Sequence, residues 1–211
     1  MVADSGVSLS RGSSGAAGTD DDAVPATAPP EFRDAIATLL ATALRPEAVV
    51  ERIRPPQRLA PWTFAIGVDV SAPSGAAPDE DAGSTGRLVV LYDPDGAEAW
   101  DGQLRLVAYA QADLAEDMAN DPLLPAVGWS WLTESLNQRH APHTAIGGTV
   151  THTTSTRFGD LHGPRSNTQL ELRGSWTAVE TDLSAHLLAF VDLLAIAAGL
   201  PPEGVVVLGE R

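Results

Sequence analysis

The sequence has no lysine and no cysteine, and each absence removes a class of chemistry. Its 13 basic residues are all arginine, set against 28 acids in 211 residues. Without lysine there is no Schiff base, no Walker-type phosphate clamp and no kinase-type Lys–Glu pair. Without cysteine there is no thiol nucleophile, thiolate zinc site, iron–sulfur cluster or disulfide. Long apolar runs are also missing, and none reaches the length of a membrane-spanning helix. The N-terminus lacks the basic and apolar stretches of a secretory leader. These absences lead to the expectation of a cytoplasmic protein.

What is present is acid. The formal net charge is −15. That balance argues against nucleic acid, whose phosphates need clustered cations, and against an anionic membrane surface. The charge is uneven. Residues 93–121 hold eight acids and only Arg105, which is nearly half of the total. This stretch predicts a local acidic surface and, by complementarity, a partner segment that is basic.

Residues 1–29 are Gly, Ser, Ala, Thr, Pro and Asp with almost no large apolar side chain. They read as a disordered acidic tail. Residues 30–208 read as a single domain, with a mobile loop at 71–86 (SAPSGAAPDEDAGSTG). A helix is predicted over 31–44, where Phe32, Ile36, Leu39, Leu40 and Ala43 share one face. A short strand holds Val49, Val50 and Ile53. Strict alternation marks Trp62–Val70 and Gln103–Ala112 as half-buried strands, and Leu88–Tyr92 is a continuous apolar strand. Asp93-Pro94-Asp95-Gly96 has the composition of a turn.

A second helix is predicted to about Asn137, with Asp121 as its cap and Pro122 in its first turn. Two further strands cover about 144–156, with Gly147-Gly148 as a bulge or bend, and 168–178, with Leu170, Leu172, Gly174 and Trp176 inward. The last helix, 182–198, is apolar around most of its circumference and ends at Gly199 and Pro201-Pro202. The order α-β-β-β-β-α-β-β-α predicts the α+β class: a mainly antiparallel sheet of five or six strands with helices on one face and the last helix across the sheet centre.

No arrangement of acid, base and nucleophile supports an enzyme. Gly128-Trp129-Ser130-Trp131-Leu132 begins like a nucleophile elbow but ends in Leu and sits in a helical pattern. Asp93–Gly102 has acids like a calcium loop, but Ala97 and Leu104 stand where ligands belong. The histidines 140, 143, 152, 162 and 186 lack the spacing of a metal pair. No cofactor or metal is implied. Arg52, Arg54 and Arg58 around Pro55-Pro56 read as a charged hairpin end. Trp129 and Trp131, two positions apart, cannot share a helical face, so one should face outward or into a groove, and an exposed Trp is a partner or ligand contact. Gln169, Glu171 and Arg173 share the polar face of their strand. The neighbouring strand offers either His152 and Thr154 or Thr151 and Thr153 beside them, according to register. The candidate partner or ligand surface is therefore Trp129, Trp131, His152, Glu171 and Arg173. Asp192, alone in an apolar helix, needs a donor such as an Arg if it is buried.

The segments RLAPW (58–62), EAWDG (98–102), DPLLPAVGWSWL (121–132), GGTVT (147–151) and AGLPP (198–202), in that order and followed or preceded by an apolar terminal helix, resemble an actinobacterial family, the domain of unknown function numbered three thousand. The likeness covers about 28–208. It implies a cytosolic protein of a GC-rich bacterium and carries over no catalytic residue. In topology alone, the element order is similar to the secretion-chaperone-like fold of small acidic proteins that dimerise and bind an extended segment. The first expectation is thus a non-enzymatic interaction module, an adaptor or chaperone-like protein that binds a protein segment, with homodimerisation open. The second is a small-molecule domain, with a pocket between the sheet and the last helix where Arg173, Glu171 or His152 orients the ligand, and the third, behind both, is a carboxylate- or His-dependent enzyme.

Overall fold

The computed structural model describes residues 24–71, 83–114, 121–160 and 166–203, leaving aside the side chain of Ser166. The elements in chain order are α1 (Pro30–Ala41), β1 (Ala48–Arg52), β2 (Trp62–Ser71), β3 (Gly83–Ala97), β4 (Gly102–Leu114), α2 (Leu124–Gln138), β5 (His143–Thr156), β6 (Ser166–Ala178) and α3 (Ser184–Ala197). The six strands form one antiparallel sheet in the order β1-β2-β3-β4-β6-β5. This is the α+β architecture and element order that the sequence pattern predicts.

All three helices lie on one face. Alternation puts Phe64, Ile66, Val68 and Val70 of β2, Leu88 and Val90 of β3, Leu106 and Ala108 of β4, and Leu172 and Trp176 of β6 against them, and all are buried. α3 crosses the centre of the sheet. Its Phe190 and Leu194 come so close to β3 that a Cβ on Gly86 would lie 2.6 Å from the Phe190 ring and 3.0 Å from Leu194. Next to it, the Ser84 hydroxyl donates to the Leu194 carbonyl (2.7 Å) in the buried interior. Residues 83–86 therefore belong to a central strand, although their Gly/Ser composition reads as loop. They are small because α3 needs room; the rest of the expected mobile loop, 72–82, lies outside the described residues. Likewise residues 24–29, counted with the tail on composition, include Ala28 in the core (4% exposed). The rest of the tail, 1–23, lies outside the described residues.

Other local expectations shift for identifiable reasons. Asp93-Pro94-Asp95-Gly96 does not turn the chain. It is an irregular stretch inside β3, where pairing with β4 changes register between Tyr92 and Ala97. Asp93 accepts the Asp95 N–H (3.1 Å), and the Gln103 amide donates to the Pro94 carbonyl (2.6 Å). The turn itself is a short 3-10 segment, Glu98–Trp100, followed by Asp101 in the left-handed region (φ 56°). α1 stops at Ala41, where Thr42 turns extended. Asp121 and Asp182 each sit two residues before a first-turn amide that they accept, Leu123 and Ser184 (2.8 and 2.9 Å). They thus organise the approach to α2 and α3, whose caps are Leu123 and Leu183. The Leu183 N–H is taken by the Thr38 hydroxyl of α1 (3.0 Å), which ties α1 to the start of α3.

Asp192 has the partner its setting requires. Arg139, just past α2, grips it with two hydrogen bonds (2.6 and 2.8 Å) and also reaches Glu203 (3.0 Å). The bond to Asp192 holds the Arg139 guanidinium above its ordinary pKa. The pair is half-buried and bidentate, so it joins α2 to α3 more firmly than an exposed ion pair does. Asp192→Ala is expected to lower stability by about 1–3 kcal/mol in denaturant unfolding. A change near zero would show that the pair contributes nothing. No helix among the described residues is long and apolar enough to cross a membrane.

Candidate functional site

None of the three helices α1, α2 and α3 covers the opposite face of the sheet; the 3-10 segment Glu98–Trp100 reaches it only at Thr177. Strand register places its side chains in rows that run across all six strands. One row is Glu51, Gly67, Arg87, Tyr109, Arg173 and Thr149; the next is Val49, Asp69, Thr85, Gln111, Glu171 and Thr151. At about 4.8 Å per strand this face is roughly 24 Å wide. Over β1 to β4 it holds a groove of about 830 Å3, with Gly67, Val89 and Val107 among the residues lining it and Glu51, Asp69, Arg54, Arg87 and Arg173 as its charges. Gly67 keeps the floor low; a Cβ there would meet the Glu51 side chain at 3.3 Å.

Tyr109 stands between two arginines in its row. The Arg173 guanidinium lies 5.7 Å from its ring centre. Arg173 Nε also pairs with Glu171 (2.9 Å), and the Tyr109 hydroxyl donates to the other Glu171 oxygen (2.9 Å). The hydroxyl is 2.8 Å from the Gln111 amide oxygen as placed. It has one proton, which goes to the carboxylate, so the Gln111 amide serves it best turned to present N–H. Burial and the Glu171 carboxylate both push the Tyr109 phenol above its ordinary pKa, with the nearby Arg173 and Arg87 opposing them. Glu171 has both oxygens engaged, so it is a fixed acceptor and not a free base. Arg87 is different: among the described residues no carboxylate or carbonyl accepts from it, and it is exposed in the groove.

Glu171 and Arg173 therefore come together as a pair on the open face. The other three candidate residues do not join them. His152 pairs with Leu170 and so points to the helix side, where it is exposed beyond α2; Thr151 and Thr153 take the places beside Glu171 and Gln169. Trp129 and Trp131 are also on the helix side, and neither stands free. The two rings reach round opposite flanks of α2. Trp129 fits a notch in β5 and β6 made by Gly148 and Gly174. Trp131 packs on Leu114, Leu124 and Leu170. Both are half-buried, and of the two expected settings Trp129 takes the groove: a wide aromatic ring reaches the sheet from the flank of a helix as well as from its base. The expected pocket between sheet and last helix does not match this geometry either. Glu171 and Arg173 lie on the far face, and the gap beside Trp131, Leu193 and Ala197 is about 10 Å3, at the lower limit for one water.

The remaining sequence features have structural roles. Ser130 donates to the Val127 carbonyl (2.9 Å) on the solvent side of α2. Arg52 stacks on Phe64 (4.6 Å), Arg54 lines the groove, and Arg58 occupies the left-handed region (φ 66°). His140 takes the left-handed position that closes α2, and His162 lies outside the described residues. Among the described residues no three His, Asp or Glu side chains are placed to hold a metal ion.

The acidic stretch does not form one surface. Asp101 lies just before β4 and Asp113 is its penultimate residue, so the two are about 40 Å apart along the strand. Glu116 and Asp117 lie outside the described residues. The end at Asp101 borders a pocket of about 400 Å3 whose lining includes Glu31, Glu180, Tyr92 and Thr144. The Thr144 hydroxyl is buried there with no hydrogen-bond partner among the described residues. Close by, on the open face, Arg105 is a cation that sequence reasoning missed as a structural element. It is 9% exposed, and it donates to the Ala145 carbonyl (2.8 Å), Ser175 (2.7 Å) and Thr177 (3.1 Å). Burial lowers its pKa from the usual arginine value. It ties down the bulge at Ala145 and Ile146, where β5 changes register against β6.

A family model described as "Protein of unknown function (DUF3000)" matches residues 28–206. No curated protein and no solved structure matches the chain.

Proposed function

The chain belongs to the DUF3000 family, and we propose that it is a non-enzymatic interaction module, an adaptor or chaperone-like protein of the cytoplasm, that holds a segment of a partner protein on the open face of its sheet. The observation that carries this reading is the uncovered groove with Arg87 unpaired in it. A fixed network on one side (Tyr109, Glu171, Arg173) and an unengaged guanidinium on the other make a preorganised surface with one open valence. The groove is lined by three arginines (Arg54, Arg87, Arg173) and two acids (Glu51, Asp69), so a chain of net charge −15 is not acidic there, and with Arg173 held by Glu171 it is Arg87 that offers a cation to a ligand. A segment that brings a carboxylate to Arg87 and apolar atoms to Val89 and Val107 satisfies both kinds of surface.

A basic segment has a different place, the pocket bordered by Glu31, Asp101 and Glu180. The same experiment separates the two. A library of displayed random peptides is selected on the full chain, and the retained peptides are titrated against the parent and Arg87→Glu. Arg87 is exposed on a sheet face, so the variant keeps its fold. Groove binding predicts acidic peptides and an affinity about tenfold or more lower in the variant, the equivalent of roughly 1.4 kcal/mol. Basic peptides that bind both proteins equally would assign the acidic pocket instead. No retained peptide of either kind would sink the interaction reading.

A further inference from the structure

The two edges of the sheet are protected very differently. β1, at one edge, has five residues, ends in Glu51 and Arg52, and runs into Pro55-Pro56. Brevity, charge and proline are the devices that stop an edge from pairing with another chain. β5, at the other edge, has none of them. It has 14 residues, HTAIGGTVTHTTST, with no proline and no Asp, Glu or Arg. It lies within residues 140–156, the longest stretch of the sequence without a formal charge. One side of β5 is bonded to β6 and the other has no strand partner among the described residues. Trp129 in the Gly148 notch and Arg105 on the Ala145 carbonyl brace it from both faces.

We propose that β5 pairs antiparallel with β5 of a second copy of this chain, joining two six-stranded sheets into one of twelve. The occupant follows from charge. Two copies of net charge −15 repel over most of their surface, and they can approach at contact distance where neither carries a charge. A strand that pairs with itself about a two-fold axis must also be self-complementary. β5 meets this requirement, since Thr149, Thr151, Thr153 and Ser155 all project to the open face and Thr–Thr pairs across strands are favourable. The pairing also sets the two open faces side by side, so the proposed segment-binding groove is presented twice on one continuous sheet. The inference does not depend on that groove having a ligand.

The test uses the full chain. Sedimentation equilibrium at micromolar concentrations is expected to give twice the chain mass of 22.0 kDa. The double variant Thr149→Asp, Thr153→Asp puts like charges on the free edge, at exposed positions opposite Arg173 and Gln169 of β6. It is expected to sediment at 22.0 kDa with unchanged far-ultraviolet circular dichroism. As a second measurement, Thr149→Cys, Thr151→Cys and Thr153→Cys are made singly in this cysteine-free chain, where any disulfide must join two copies. An antiparallel two-fold predicts that oxidation crosslinks best at the position or two positions nearest the axis and falls away with distance from it. A chain that stays at 22.0 kDa at all concentrations, a dimer that survives the double substitution, or equal crosslinking at all three positions overturns the proposal.

Discussion

Gly148→Ala is expected to lower the stability of the fold by about 2–3 kcal/mol, whereas Gly147→Ala, one residue earlier, is expected to raise it by about 0.5 kcal/mol. The two glycines are adjacent in the same strand and read alike in the sequence. Their surroundings differ. A Cβ at Gly147 meets nothing within 4 Å, so alanine there only restricts the unfolded chain. A Cβ at Gly148 would lie 2.3 Å from the Arg173 carbonyl oxygen and 2.7 Å from the Trp129 ring. The carbonyl belongs to the strand backbone and the ring to a packed helix, so neither can yield cheaply. Gly174 on β6 is the other half of the notch; a Cβ there would lie 2.8 Å from Leu132. α2 thus sits on the sheet through two glycines that leave space for Trp129 and Leu132. Urea unfolding of both single variants checks this. Equal effects of the same sign would show that Trp129 is not seated in the notch.

That contrast shows which parts of the molecule the sequence makes legible. Alternation over Trp62–Val70 and Gln103–Ala112 and the inward set Leu170, Leu172, Gly174 and Trp176 are visible because a strand buried on one face repeats every two residues. The apolar girth of 182–198 is visible for the analogous helical reason, and the element order followed from both. Gly86 and Ser84 were hidden because small residues that make room for Phe190 and Leu194 have the same composition as a loop. The register of β5 was hidden because its two faces are almost equally polar. Only the pairing of Thr151 with Glu171 and His152 with Leu170 decides which side holds the histidine. For the candidate site, Glu171 and Arg173 were legible as the polar face of a strand. Arg87 was not, because nothing local distinguishes an unpaired arginine from a solvated one. The segments that carry the family resemblance point the same way. Gly148 of GGTVT makes one side of the notch that Trp129 of DPLLPAVGWSWL fills, and EAWDG forms the turn whose Trp100 carbonyl accepts the Thr177 hydroxyl. They mark close packing and do not mark the open face.

Acid is expected to weaken the fold through one buried imidazole, His186, whose titration removes about 3 kcal/mol of stability. His186 lies in the core on α3 and is 0% exposed. The Trp176 indole N–H donates to its Nδ1 (3.0 Å), so the ring must be neutral with its proton on Nε2. That Nε2 is buried with no hydrogen-bond partner among the described residues. A second proton would go on Nδ1, where it would face the indole N–H and break the only bond the ring makes. Burial first, and then the nearby His143, push its pKa down from 6.5 to about 4, against the opposing pull of Asp182. The folded state therefore binds this proton less readily than the unfolded state does. Stability from this group is complete above pH 6.5 and is lost as the pH falls from 6.5 through about 4. Unfolding at low pH has many contributors in any acidic protein, so a bare pH profile does not isolate the effect. His186→Gln does. Its amide oxygen can accept from Trp176 but gains no proton in this range, so its unfolding free energy should stay level over the upper part of the window while that of the parent falls. Parallel profiles for the two proteins would show that His186 does not carry the acid sensitivity.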